Sequence, residues 1–384
     1  MKKTIALVGL LLLLVLGCES TDTNIISDDE GVTELNTDTD SFETPNVPTS
    51  NLQHVRDDMF VFGPVRITIF DIECTGDEPD ERCGLLDEAF DLIYDMERRW
   101  TVNDIGGEVE LINQMAGIEA VEVQTDTFYL IEQAVHYSIY SERLFNVAIG
   151  PLTSLWNIAM PGARRPSDTE IEAVLPLLDP TRITLDAEAS TVFLEDVGMR
   201  LDLGGIAKGF MPDMIIDFFQ NHDVERALII IGGEVVALGG RYDGTPFRIG
   251  IRNPFSDDES VVDDYLAGTL PLHSQALVTS GTYSRYFADQ ETMTFYHHLF
   301  DSDTGLPFDT DIVSLTIVAD TGLLGEVYTK IVFALGVEAG LAYVEAHPGI
   351  EAMFISEDRG IYLSTGLQGS FELLLDDTFE MRTN

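Results

Sequence analysis

Asp202-Leu-Gly-Gly-Ile-Ala-Lys208-Gly209 closes a strand-like apolar run, residues 199–203, and opens a helical pattern. Consecutive glycines let backbone come close to a ligand, and a helix N-terminus favours an anion. Asp202 adds an acceptor and Lys208 a cation that can pair with phosphate. The stretch is neither the Gly-x-x-x-x-Gly-Lys-Ser/Thr loop nor the Gly-x-Gly-x-x-Gly fingerprint of nucleotide-binding folds. By itself it reads equally as a tight turn and as a ligand loop.

Outward from this stretch the pattern mixes strands and helices. Upstream, residues 65–72 read as a strand. A helix follows with Leu86, Ala89, Phe90, Ile93 and Met96 on one face, and another begins after Asp126 with Phe128, Ile131 and Val135 in register. Residues 166–179 hold a short helix with Ser167 or Asp168 as N-cap, and residues 183–185 and 192–194 form a hairpin-like pair. Downstream, residues 227–231, 247–251 and 313–318 are strand-like. A helix runs through Val332 and Phe333, a second covers 339–346, and residues 352–355 and 361–363 close the sheet. No internal repeat is evident. The fold class expected is α+β, a large mixed or antiparallel sheet flanked by helices.

The chain begins with Lys2 and Lys3, an apolar stretch over residues 5–16, and Gly17-Cys18 in the position of a lipobox. A spanning helix needs about 20 apolar residues, so residues 1–17 read as a lipoprotein signal peptide. Cys18 would then carry lipid and hold the domain outside a bacterial cytoplasm; the alternative is a plain secretory signal with an incidental cysteine. Residues 18–57, polar and acidic without periodicity, read as a disordered tether, leaving 58–384 as the folded domain. Cys74 and Cys83 then remain, across the turn-like TGDEPDER. A disulfide suits an oxidising compartment, and it is favoured over a metal site because no histidine lies nearby.

Acid dominates the composition: 67 Asp and Glu face 21 Lys and Arg, a formal charge of −46. Only Lys208 and Lys330 lie beyond the leader's two lysines. Such a surface repels itself at low ionic strength, which suggests adaptation to high salt. It excludes nucleic-acid binding, since no basic patch is available to meet phosphates.

Three further segments carry chemistry. Ile231-Gly232-Gly233-Glu234 reads as a strand ending in glycines, and Thr279-Ser280-Gly-Thr-Tyr-Ser-Arg285-Tyr286 is rich in hydroxyls. Tyr296-His297-His298-Leu-Phe-Asp301-Ser-Asp-Thr304-Gly305 holds two of the seven histidines. His298 and Asp301 suit a base and its metal or substrate partner; alternatively the histidines straddle a strand and at least one is only packed.

In this order the segments resemble the ApbE-type FAD:protein FMN transferases, over nearly the whole domain from Met59. Trp100-Thr-Val-Asn-Asp-Ile-Gly-Gly-Glu108-Val-Glu-Leu-Ile-Asn113 is similar to the family's aromatic-led segment ending in Ser-Glu-x-x-x-x-Asn. Phe145-Asn-Val-Ala-Ile-Gly-Pro-Leu-Thr-Ser-Leu-Trp156 is similar to its Phe-Asp/Asn-x-x-x-Gly-Pro-Leu-x-x-Leu-Trp. The resemblance implies a two-lobed, T-fold-related domain that binds FAD between its lobes. It implies cleavage of the pyrophosphate and transfer of FMN to a Ser or Thr hydroxyl of a flavin-acceptor protein, releasing AMP. His298 would be the general base, with Asp301 beside it. Trp100, Glu108, Asn113, Trp156 and Asp202 would bind FAD, with Trp100 offering a ring face. Lys208, Gly233, Thr279, Ser280 and Arg285 complete that set.

The resemblance also implies Mg²⁺, held in the family by Asp and by Thr four residues later, with a backbone carbonyl nearest Gly205. Here Glu326 and Lys330 stand at those two positions, and Glu234 follows the glycines where the family has Asn or Asp. Three readings stay open: a surface i,i+4 ion pair with metal weakened or lost, an ammonium that replaces the metal's charge, or Thr329 as substitute ligand. A non-catalytic FAD-binding lipoprotein and an FAD pyrophosphatase are the rivals to the transferase.

Overall fold

A computed structural model describes residues 53–60, 63–74, 79–102, 106–256, 262–289 and 293–382. The leader, Cys18 and residues 18–52 lie outside them. The domain begins earlier than expected: Gln53–Phe60 is a strand, paired in register from Gln53↔Phe70 to Phe60↔Gly63 with the strand Gly63–Phe70. Residues 53–57, assigned above to the tether, thus belong to the sheet.

That sheet has nine strands in the order Gln53–Phe60, Gly63–Phe70, Ala227–Ile231, Glu234–Leu238, Ala276–Gly281, Ile312–Ala319, Ile350–Ser356, Gly360–Leu363 and Glu380–Arg382. Neighbours are antiparallel except the last pair. Successive side chains alternate between its faces. Ala276 and Val278 pack toward helices, whereas Leu277 joins Phe247, Leu270 and Leu272 of a three-stranded sheet on the other side. The result is a helical layer, a large sheet and a smaller sheet, the α+β class read from the sequence.

The helix Leu85–Trp100 buries Leu86, Ala89, Phe90, Ile93, Met96 and Trp100, the apolar positions expected from helical periodicity. Ser167 caps Asp168–Val174 through a capping box with Glu170. One expectation needs correction. Residues 199–203 form no ladder; the segment is gripped by side chains instead. The two helices expected around Val332 and over 339–346 are both present, one on each side of Gly336, whose φ of 75° and ψ of 179° interrupt the run Gly322–Ala346. The strands Glu234–Leu238 and Ala276–Gly281 were not anticipated, because a central strand buried on both faces shows no period-two alternation. Cys74 and Cys83 form a disulfide with Cα atoms 5.6 Å apart.

Candidate active site

Two helices meet backbone to backbone beneath the glycine loop. A Cβ at Gly209, in the helix Ala207–Gln220, would collide with the Gly322 carbonyl, and one at Gly322 with the Gly209 carbonyl. Asp213 fixes the crossing: its Oδ1 accepts from the Gly322 N–H at 2.7 Å and its Oδ2 from the Leu323 N–H at 2.9 Å. Burial pushes this carboxyl up to about 7, against the pull of both N–H groups. One helical turn past the crossing, Glu326 faces Lys208. Asp213 went unremarked in the sequence; an acid beside the apolar positions of this helix, with Asp217 one turn later, was the available signal.

The loop itself is held on three sides. Asn113 pairs with Leu201 like a strand neighbour, accepting from its N–H at 2.6 Å and donating to its carbonyl at 3.1 Å. Asp202 accepts from the Gly204 N–H and from Thr153 Oγ1, both at 2.9 Å. The Lys330 Cε lies 3.8 Å from where a Cβ at Gly205 would stand.

Four charges gather below this loop. Lys208 Nζ donates to Glu326 Oε1 at 2.6 Å and to Glu234 Oε1, and Lys330 Nζ donates to Glu326 Oε2. The Glu326 and Glu234 side chains are 0% and 3% exposed, while both lysines are 16% exposed. The two carboxylates are thus the most deeply buried members of the cluster. Burial pushes the Lys330 ammonium down to about 7; Lys208 and Arg285 act the same way and Glu234 opposes. The remaining oxygen of Glu234, Oε2, is buried without a hydrogen-bond partner among the described residues.

His298 follows the strand Thr294–His297, part of a two-stranded ribbon with Tyr286–Asp289. Its Nδ1 lies 3.2 Å from the Arg285 carbonyl. A carbonyl only accepts, so Nδ1 carries the hydrogen and Nε2 is left as a base. Burial, then the charge of Arg285, push the imidazole down to about 3, and Lys330 adds to the same effect. The ring is neutral at ordinary pH. His297 by contrast is tied to the Phe308 carbonyl at 3.0 Å and packs edge-on to Phe333. Of the two histidines, 298 faces the chemistry and 297 the core.

The ApbE family's sequence profile matches residues 64–354. The chain is 38% identical to the FAD:protein FMN transferase of Klebsiella pneumoniae, over 73% of this chain and 85% of that one. It is 31% identical to the enzyme of that name from Treponema pallidum, over 73% and 80% respectively. The fold superposes on the crystal structure of the ApbE protein of Thermotoga maritima with a TM-score of 0.72 and 26% identity, covering 83% of this chain and 99% of that one. This chain belongs to the ApbE family.

Within that family, several residues carried over as FAD ligands prove to be engaged elsewhere. Trp100, 1% exposed, stacks on Phe210 at 5.7 Å and donates its Nε1–H to Thr127 at 2.8 Å, so its ring offers no free face. Trp156, fully buried, packs on Tyr296 and Phe300 and donates to the Gly305 carbonyl at 3.0 Å. It pins the turn after His298. Glu108 accepts from Thr127 Oγ1 and from the Gln124 N–H at 2.8 Å, bracing the start of the next helix. Asp301 is spent inside its turn on Thr304 Oγ1 at 2.9 Å and the Asp303 N–H at 2.8 Å, and no bond joins it to His298.

The third segment divides by strand face. Thr279 shares a 2.8 Å hydrogen bond with Thr316, on the opposite face from Val278, which touches Gly325. Ser280, on the Val278 face, looks toward the Glu326 helix. Gly232 and Gly233, with φ of 59° and 95°, do not end the sheet. They turn one strand into the next and so deliver Glu234 to the cluster.

The residues at the implied metal position do not fit a divalent cation. Glu326 is fully buried and both its oxygens hold ammonium groups, so its pair with Lys330 is an internal one, not a surface pair. Thr329 is no substitute: its hydroxyl donates to the Glu326 carbonyl at 2.8 Å. With Lys330 reaching Gly205, positive charge stands where Mg²⁺ would, and like charge repels a dication.

Proposed function

We propose that this chain transfers FMN from FAD to a Ser or Thr hydroxyl of an acceptor protein, as the names of its relatives imply. The observation that carries the reading is His298, neutral, with Nε2 bare and two cationic side chains bearing on it. A hydroxyl is a poor nucleophile until a base takes its proton. In the proposed step Nε2 accepts that proton while the hydroxyl oxygen attacks the FMN phosphorus. The bond from that phosphorus to the bridging oxygen breaks, and AMP leaves with the electron pair. An imidazole held near 3 is a weak base; the negative charge of a bound pyrophosphate raises it toward its useful range. Asn113, Asp202 and Thr153 hold the glycine loop that faces the phosphates, and Lys208 meets their charge.

The same reading places the enzyme outside the cytoplasm, anchored through lipid on Cys18, where acceptor proteins would be flavinylated. The support is the leader sequence and the Cys74–Cys83 disulfide, which suits an oxidising compartment. Incubating the protein with FAD and a purified acceptor domain, then weighing the acceptor, tests the reaction. An FMN adduct with AMP released supports transfer. FMN and AMP without adduct indicates a pyrophosphatase, and FAD bound but intact indicates a binding protein.

A further inference from the structure

The flavin-transferase reading leaves one arrangement unused: a carboxylate and an ammonium added to the same cluster. We propose that Glu234 and Lys330 are a matched pair that lets this chain hold the FAD pyrophosphate with its own ammonium groups, without a divalent cation. The inference rests on the flavin reading and goes beyond it. Four groups form one chain of contacts, Glu234 to Lys208 to Glu326 to Lys330. Two carboxylates meet two ammonium groups, so the cluster is neutral.

Neither member suits the site alone. Glu234 alone would set a buried negative charge beside an anionic ligand. Lys330 alone would put a second ammonium next to Lys208 with one carboxylate between them, and buried charge without a partner is costly. Together they cancel, and the two glutamate side chains are more deeply buried than the two lysines. In a chain of net charge −46, this cluster brings two ammonium groups together below the glycine loop.

Composition points the same way. Outside the leader the chain has only these two lysines, and its other basic side chains are arginines. A compact ammonium on a flexible stem fits under a glycine loop, where a planar guanidinium would need a wider slot. The Lys330 stem does run against Gly205.

Quenching of flavin fluorescence on titrating the full chain with FAD, in EDTA and then in excess Mg²⁺, tests the pair. The affinity should agree within about two-fold between the two conditions, and calorimetry with MgCl₂ alone should show no binding. Lys330→Thr should weaken metal-free FAD binding at least ten-fold. Glu234→Asn/Lys330→Thr, which restores the family's pattern beside Glu326, should bind FAD tightly only with Mg²⁺. Wild-type binding that requires Mg²⁺ would overturn the proposal, whatever the variants do. Unchanged metal-free affinity in folded Lys330→Thr would overturn it also. Failure to bind FAD under either condition would instead bring down the flavin reading on which the proposal stands.

Discussion

Trp100 and Trp156 sit in the two longest segments that resemble the family, and both rings are sealed in cores with their N–H groups satisfied. Lys208 and Lys330 sit far apart in shorter segments, and both end on one carboxylate. The contrast separates what a motif builds from what it offers. A long aromatic-led segment marks where helices and turns must pack, while charges brought together from distant segments mark where a ligand is met. Burial with a satisfied partner is the criterion that tells the two apart.

The sharpest way to break this contrast is to remove one residue from each side. His298→Ala should lower the rate of FMN transfer by about 10²–10⁴, the usual loss for a general base. FAD affinity should stay within a few-fold, since the ring serves the hydroxyl's proton and not the ground-state complex. A variant that transfers FMN at the wild-type rate removes His298 from the mechanism. Trp156→Ala should act in the opposite sense, destabilising the fold by about 3–5 kcal/mol through the cavity it leaves. Trp156→Phe, which keeps most of the packing, should fold and bind FAD with near wild-type affinity. If instead it binds FAD ten-fold more weakly while unfolding normally, Trp156 touches the ligand after all.

The reach of the sequence follows from the same distinction. Helical periodicity placed the helix from Leu85 to Trp100, and the glycine, histidine and lysine positions marked the site. What sequence reasoning missed depends on long-range geometry. The central strand Glu234–Leu238 is buried on both faces and shows no alternation. The opposed signs of Glu234 and Lys330 conflict when each is considered along the chain and agree once Lys208 and Glu326 stand between them. Asp213 gains its meaning only from the start of a helix more than a hundred residues later.

Asp213 gives the smallest effect and the most specific sign. Asp213→Asn retains an acceptor for one of the two N–H groups and should cost about 1 kcal/mol of stability near pH 4–5. The wild-type carboxyl has a folded-state pKa of about 7, above its unfolded value. It binds more protons folded than unfolded, so its contribution is greatest at low pH and is lost as pH rises from about 4 to about 7. The gap between wild type and variant in chemical denaturation should therefore shrink over that interval. A gap that widens with pH would mean that Asp213 is ionised in the folded protein.

If Lys208 and Lys330 do the work of a metal, FMN transfer runs on cations built into the chain. The acceptor's mass after incubation with FAD and this protein, in chelator and in Mg²⁺, tests it most directly. The account predicts FMN-modified acceptor to the same extent in both, and modification confined to the Mg²⁺ sample would contradict it.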